Sequence, residues 1–186
     1  MSDDPRIPPL PPEEWRGEIK RILEVVPPGV QRRLGDNRIF PTFARHEELF
    51  RAWLPFGGFL LTAGRLSGRD RELLVLRTAV LCGSSYEWGQ HVRISLDGGI
   101  ERETIDRVAE GPDADGWTEL EAALLRSADE LHADSRISDA TWAKLVESYD
   151  TEQLIEATMV VGHYHMLAFA LNSYGVELDE GLEGLP

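Results

Sequence analysis

A chain of 186 residues is long enough for one domain with a substantial core, and 42% hydrophobic against 28% charged residues excludes a disordered polymer. A net charge of −14 argues against nucleic-acid binding. The single cysteine, Cys82, excludes an intrachain disulfide and any Cys-x-x-Cys redox pair, and suits a reducing cytoplasm.

The acidic first residues lead into proline-rich sequence, without the basic start and apolar run of a secretory signal. Pro5, Pro8, Pro9, Pro11 and Pro12 predict an extended arm over 1–12, a segment able to wrap a neighbouring subunit. Helical spacing begins near Glu13, with Trp15, Ile19, Ile22 and Leu23 on one side, and Pro27-Pro28-Gly29 ends it. A loop follows to about Pro41. Phe43, Leu49, Phe50, Trp53 and Leu54 predict a second helix, which Pro55 to Gly58 should bend or break, with a further turn at Phe59 to Leu61.

The next helix has clearer ends. Ser67 is an N-cap, Asp70 sits near the positive end of the helix dipole, and Leu73, Leu74, Leu76, Ala79, Val80 and Leu81 fill it. Gly83-Ser84-Ser85 separates it from a helix over Tyr86 to Leu96 that stops at Gly98-Gly99. A short helix spans Glu101 to Ala109. Thr118-x-x-Glu121 is a capping box for another, Ser138 caps one through Leu145, and Asp150 or Thr151 opens the last, which ends near Tyr174-Gly175. No strand alternation persists, so the expected class is all-α, with one domain over 13–175 and a short acidic tail over 176–186.

Leu154, Ile155, Met159, Val160, Met166, Leu167, Phe169 and Leu171 surround the last helix, which predicts burial on all sides and self-association through it. Glu156, His163 and His165 interrupt its apolar run, so a core helix is expected rather than a membrane span. Residues 1–93 hold 14 Lys+Arg against 12 Asp+Glu, and residues 94–186 hold 5 against 21. The two halves therefore have the charge to attract each other within or between subunits, although a solvated acidic surface gives the same count.

The densest run of reactive side chains is Cys82-Gly-Ser84-Ser85-Tyr86-Glu87-Trp88-Gly-Gln90-His91. Glu87 and His91 are four apart, which on a helix puts their Cβ atoms roughly 5–6 Å apart on one face. A carboxylate beside an imidazole can orient it as an acid or base near neutral pH, and Tyr86 and Trp88 could wall off the pocket. Ser84-x-x-Glu87 also has the form of a capping box, an ordinary structural role for Glu87.

The stretch from Leu76 to His91 resembles the signature segment of the carboxymuconolactone decarboxylase family, which often carries a YEW-x-x-H run. Segments at Arg6 to Pro12, Trp53 to Gly58 and Gly162 to Val176 are similar to its longer, decarboxylase-like members. The related AhpD branch uses a Glu, then Cys-x-x-Cys, then a His four residues on. Aligned on His91, Glu87 takes the place of the second Cys, Ser84 that of the first, and Glu72 that of the upstream Glu. Both redox sulfurs are thus replaced, as in the decarboxylase branch, and Cys82 lies two residues before the first redox position with no resolving partner.

The resemblance implies an all-α AhpD-like fold, a trimer or hexamer, and cofactor-free acid/base chemistry on a small carboxylated or lactone-like acid. His91 would move the proton, Glu87 would orient it or share the proton, and Glu72 would complete the relay. Ser84, Tyr86, Trp88, Arg77 and His163 are the expected substrate contacts, although a salt bridge is the more ordinary use of Arg77. Trp53, Phe56, Phe59, Trp88 and Tyr164 fit a pocket lining or, more ordinarily, the core. His163 and His165 point about 200° apart on a helix, and no Cys/His/Asp cluster at ligand spacing is visible, so no metal is expected. Two other readings stay open: a non-catalytic oligomeric binding protein, and a peroxidase using Cys82 with an external thiol.

Overall fold

The computed structural model describes residues 4–25 and 32–186. The predicted stop at Pro27-Pro28-Gly29 lies outside those residues. Among the described residues every regular element is helical. They are α1 (Gly17–Leu23), α2 (Ile39–Phe43), α3 (Glu47–Thr62), α4 (Gly68–Leu81), α5 (Ser85–Asp97), α6 (Arg102–Glu110), α7 (Glu119–Asp134), α8 (Asp139–Leu145) and α9 (Thr151–Tyr174), with short 3-10 turns at Pro12–Glu14 and Leu34–Asp36.

Local chemistry sets most helix ends. Ser67 accepts from Asp70 N, Thr118 and Asp150 form reciprocal capping boxes with Glu121 and Gln153, and Ser138 accepts from Thr141 N. Gly175 closes α9 in the left-handed conformation at φ 69°. Pro55 does not break its helix: α3 runs straight through it. Pro55 leaves only the carbonyl of Arg51 without its helical partner, and both residues lie on the exposed side, where water replaces that bond.

Within the single chain the helix buried all round is α4 rather than α9. It packs against α5, α6, α7 and α9, and Leu73, Leu74, Val75, Leu76 and Ala79 are fully buried. Leu74 and Val75 meet the α7–α9 side with Leu124, Val160 and Tyr164. Leu73 and Leu76 meet Trp88, Val92, Ile105 and Leu125. A third cluster joins Trp15, Ile19, Leu23, Ala44 and Phe50. By length and composition α9 could cross a membrane, but half of its apolar window is buried within the protein. Ile155 and Phe169 stay 60% and 61% exposed in the single chain, with Met159 and Met166 beside them.

Both termini fold back onto this body. The described part of the arm lies on its own chain: Ile7 N donates to Tyr174 O (3.2 Å), Leu10 N to Pro41 O (3.0 Å), and Arg45 to the carbonyls of Pro8 and Pro9. The tail lies over α5, where a Cβ on Gly89 would meet the Glu183 carbonyl, and it buries Asp179.

The α3–α4 turn is held from across the fold. The buried Glu156 carboxylate accepts from Arg65 N (2.6 Å) and Leu66 N (3.1 Å), and a Cβ on Gly64 would overlap that carboxyl. Glu156→Ala orphans two backbone donors, so a loss on the order of 3 kcal/mol is expected in denaturant unfolding. A loss within error of zero would mean that the turn holds itself.

Candidate active site

The Ser67 cap starts α4 so that Arg71 and Glu72 fall in its early turns, and Glu72 is buried facing α5. Gly83, at φ 61°, turns the chain back so that α5 runs beside α4 and carries His91 to Glu72. His91 Nδ1 lies 2.6 Å from Glu72 Oε2, and Arg71 Nε donates to Glu72 Oε1 at 2.9 Å. The short, charge-assisted contact orients the imidazole, with Nδ1–H toward the carboxylate and Nε2 left as the reactive nitrogen.

α9 and α3 complete the surroundings. The His91 ring stands edge-on to Tyr164, with centroids 4.9 Å apart. His163 stands edge-on to the same Tyr164 at 5.3 Å, stacks on Trp53 at 6.2 Å and meets Phe56 at 5.2 Å. His163 and His165 face opposite sides of α9, and only His163 turns toward His91.

The two acids are driven in opposite directions. Burial pushes the Glu72 carboxyl up, but His91 and Arg71 outweigh it and hold the group below the usual carboxylate range. Burial pushes the Glu87 carboxyl well above that range. Burial, then the nearness of His91, takes His163 down to about 4, so it is neutral. Tyr164 is raised by burial and then by Glu72 and Glu87, and stays a phenol. Both Glu87 oxygens, His163 Nδ1 and Trp53 Nε1 are buried with no hydrogen-bond partner among the described residues. Such groups are expensive to keep unless something binds them.

The expected site residues therefore divide. Glu72, His91 and His163 converge. Glu87 shares the buried interior but makes no hydrogen bond to His91, which corrects the pairing drawn from their spacing. Four residues of separation fixes a shared helix face, and Glu72 from the neighbouring helix reaches the imidazole first. Ser84 is fully buried at the start of α5, yet its hydroxyl is unpartnered and the Ser84–Glu87 capping box does not form.

Tyr86 and Trp88 flank Glu87 by about 100° on either side, so both turn away from it. Tyr86 Oη donates to Asp179 (2.9 Å) and accepts from Ile39 N (3.1 Å) and Gln90, while Trp88 fills the core beside Ile105. Arg77 is not free for substrate. Its fork is taken by Asp129, at 2.6 and 3.0 Å, and by the carbonyls of Val108 and Ala109. The cation at the site is Arg71, for which the sequence carried no signal. A separate cluster of potential metal ligands, Cys82, His132 and His165, lies on the far side of α9.

Residues 47–130 match the model of the carboxymuconolactone decarboxylase family. Over that segment the chain is similar to the carboxymuconolactone decarboxylase family. The family segment holds Glu72, Glu87 and His91, whereas α9 supplies His163 and Tyr164 from beyond it. No curated protein matches the chain in sequence.

Solved structures share the fold. An uncharacterized peroxidase-related protein from Silicibacter sp. TM1040 superposes with TM-score 0.80 at 13% identity, covering 94% of this chain and 92% of that one. A second, an alkylhydroperoxidase AhpD core protein from Ralstonia eutropha JMP134, has TM-score 0.67 at 20% identity over 94% and 93%. The debrominase Bmp8 with 2,3,4-tribromopyrrole has TM-score 0.75 at 13% identity over 97% and 95%.

Proposed function

We propose that this protein is a cofactor-independent lyase or isomerase of the decarboxylase-like branch, acting in the cytoplasm on a small carboxylated or lactone-like acid. One observation carries the proposal: two carboxyls are buried on the same helix pair as one buried histidine, and their surroundings drive Glu72 below and Glu87 well above the usual carboxylate range. Environments that drive neighbouring titratable groups apart are how a site obtains a base and an acid at the same pH.

His91, oriented by Glu72, is the base at Nε2. Glu87, its carboxyl pushed well up by burial and without a hydrogen-bond partner among the described residues, is the acid. In a decarboxylation, carbon dioxide leaves, the electron pair of the broken bond moves onto the adjacent carbonyl as an enolate, and Glu87 returns a proton to carbon. Solvent then reprotonates Glu87. In an isomerisation, His91 removes a proton at one carbon and Glu87 delivers one at another. Arg71 places positive charge beside the pair. The surrounding aromatic side chains keep the site dry, which strengthens each electrostatic contact.

Lactones and β-keto acids screened for consumption and carbon dioxide release are expected to yield a substrate that wild type turns over and His91→Ala does not. Turnover of none of them, with tight binding retained in His91→Ala, would make this a binding protein instead. Peroxide reduction is expected to be slight. Burial and then Glu87 push the Cys82 thiol up to about 11, which leaves little thiolate at neutral pH, and the chain has no second cysteine to resolve an oxidised one.

Self-association is part of the same proposal. Ile155, Met159 and Phe169 on α9, with Phe56 and Phe59 on α3, leave an apolar face uncovered in one chain. A trimer or hexamer is expected by light scattering at micromolar protein, and a strict monomer would count against it.

A further inference from the structure

The side of α9 away from His91 carries a second constellation. Cys82, His132 and His165 each offer one ligand atom, and these atoms lie within 4.8 Å of one another. They come from three helices that pack together: Cys82 is the C-cap of α4, His132 lies in the last turn of α7, and His165 is in α9. We propose that Cys82, His132 and His165 form a binding site for a zinc-class divalent cation, with a fourth position open to solvent. This site is distinct from the Glu72–His91 pair, and the inference does not rest on the proposed activity.

Three observations support it. The first is spacing. His132 Nδ1 is 3.0 Å from His165 Nε2, and two imidazole nitrogens on one tetrahedral zinc stand about 3.3 Å apart, given Zn–N bonds of roughly 2.0–2.1 Å. The pair is thus already near ligand geometry, and a small movement of the half-buried thiol brings sulfur within reach.

The second is tautomer control. His165 Nδ1–H donates to Val161 O at 2.9 Å, which leaves the Nε2 lone pair facing His132 and the cysteine. A ligand histidine held through its other nitrogen by a carbonyl is a recurrent feature of metal sites. Without an ion, one proton is shared between the facing nitrogens. With an ion, His132 carries its proton on Nε2, and both lone pairs point at the metal.

The third is electrostatic. Two helix C-termini, those of α4 and α7, meet here, and their carbonyl ends favour a cation. The Cys82 carbonyl is itself held by Asn172 Nδ2 at 2.8 Å. A thiolate with two imidazoles selects a borderline-soft metal over calcium or magnesium. Binding takes the thiol as thiolate, and its proton passes to solvent. The exposed His132 leaves the remaining position to water.

The test uses the full-length chain, freed of metal and titrated with cobalt(II) and then zinc(II). One equivalent of cobalt should give visible ligand-field bands together with a thiolate-to-cobalt charge-transfer band, and zinc should displace it. Cys82→Ser should lose the charge-transfer band. His132→Asn, at an exposed position that does not threaten folding, and His165→Gln should each weaken zinc binding by about tenfold to hundredfold or more, since even outer-shell partners of a ligand carry that much. His46→Asn, which keeps a capping side chain at the start of α3, should bind as wild type does. Absence of a cobalt spectrum in wild type would overturn the assignment. So would a charge-transfer band that survives Cys82→Ser, or zinc binding abolished by His46→Asn and untouched by His132→Asn.

Discussion

His91→Ala is expected to lower turnover by about 10²–10⁴-fold, the usual worth of a positioned general base, equal to about 3–5 kcal/mol of barrier. Glu72→Gln should lose most of the same factor. A glutamine cannot stabilise the imidazolium that forms, and its amide can present the wrong group to Nδ1. Because the 2.6 Å contact makes the two side chains one unit, the double variant should be little worse than the poorer single one. Additive losses in folded protein would separate Glu72 from the chemistry.

The pair should also persist well into mild acid. The folded pKa of Glu72 is depressed, so its contribution to stability is complete above the ordinary carboxyl range and is lost only as pH falls through the lower folded value. Circular dichroism of Glu72→Gln and His91→Ala, with the oligomer checked by light scattering, keeps a folding defect from passing as a catalytic one.

Glu87→Met is expected to act in opposite directions on activity and stability. Loss of the buried acid should lower turnover by about 10²–10⁴-fold. The same change removes two oxygens that have no partner among the described residues, so it should stabilise the fold by about 1–3 kcal/mol, or roughly 2–4 °C in Tm per kcal/mol.

The sign with pH follows from the raised folded pKa. The advantage of a buried neutral acid is full below the ordinary carboxyl value and disappears as pH climbs toward the folded one, so wild type should lose stability over that range. Glu87→Met should lack this slope, as should Glu87→Gln, which keeps the shape and the polar burden. Thermal unfolding of all three at about pH 5 and about pH 8 tests the point. A Met variant that is less stable than wild type at the higher pH, or that turns over normally, would remove Glu87 as the buried acid.

A site that gains stability when its acid is removed is a common arrangement. Binding and catalysis need polar groups aimed at a substrate rather than at the protein, and the unliganded fold carries that burden. The large shared core around α4 makes this tolerable here. Leu73, Leu74, Val75 and Leu76 are fully buried on the helix that also carries Glu72, so the site stands on the least deformable element of the fold.

The features legible in the sequence were local. Ser67, Thr118, Ser138 and Asp150 cap their helices through partners three residues away, and Gly175 ends α9 through its own backbone freedom. Such signals survive in a one-dimensional reading because the interacting groups are close along the chain. The family resemblance added Glu72 and His91 as matched positions, but not the bond between them.

Tertiary structure alone decided the rest. It joined His91 to Glu72 across a helix pair instead of to Glu87 along one helix. It took Arg77 for Asp129, and it let α3 continue through Pro55 because the freed carbonyl faces water. It also gathered Cys82, His132 and His165, whose mutual approach no local spacing encodes. The physical reason is the same in each case. Periodicity states which face of a helix a side chain occupies, whereas packing density and the satisfaction of buried polar groups choose the partner it meets there.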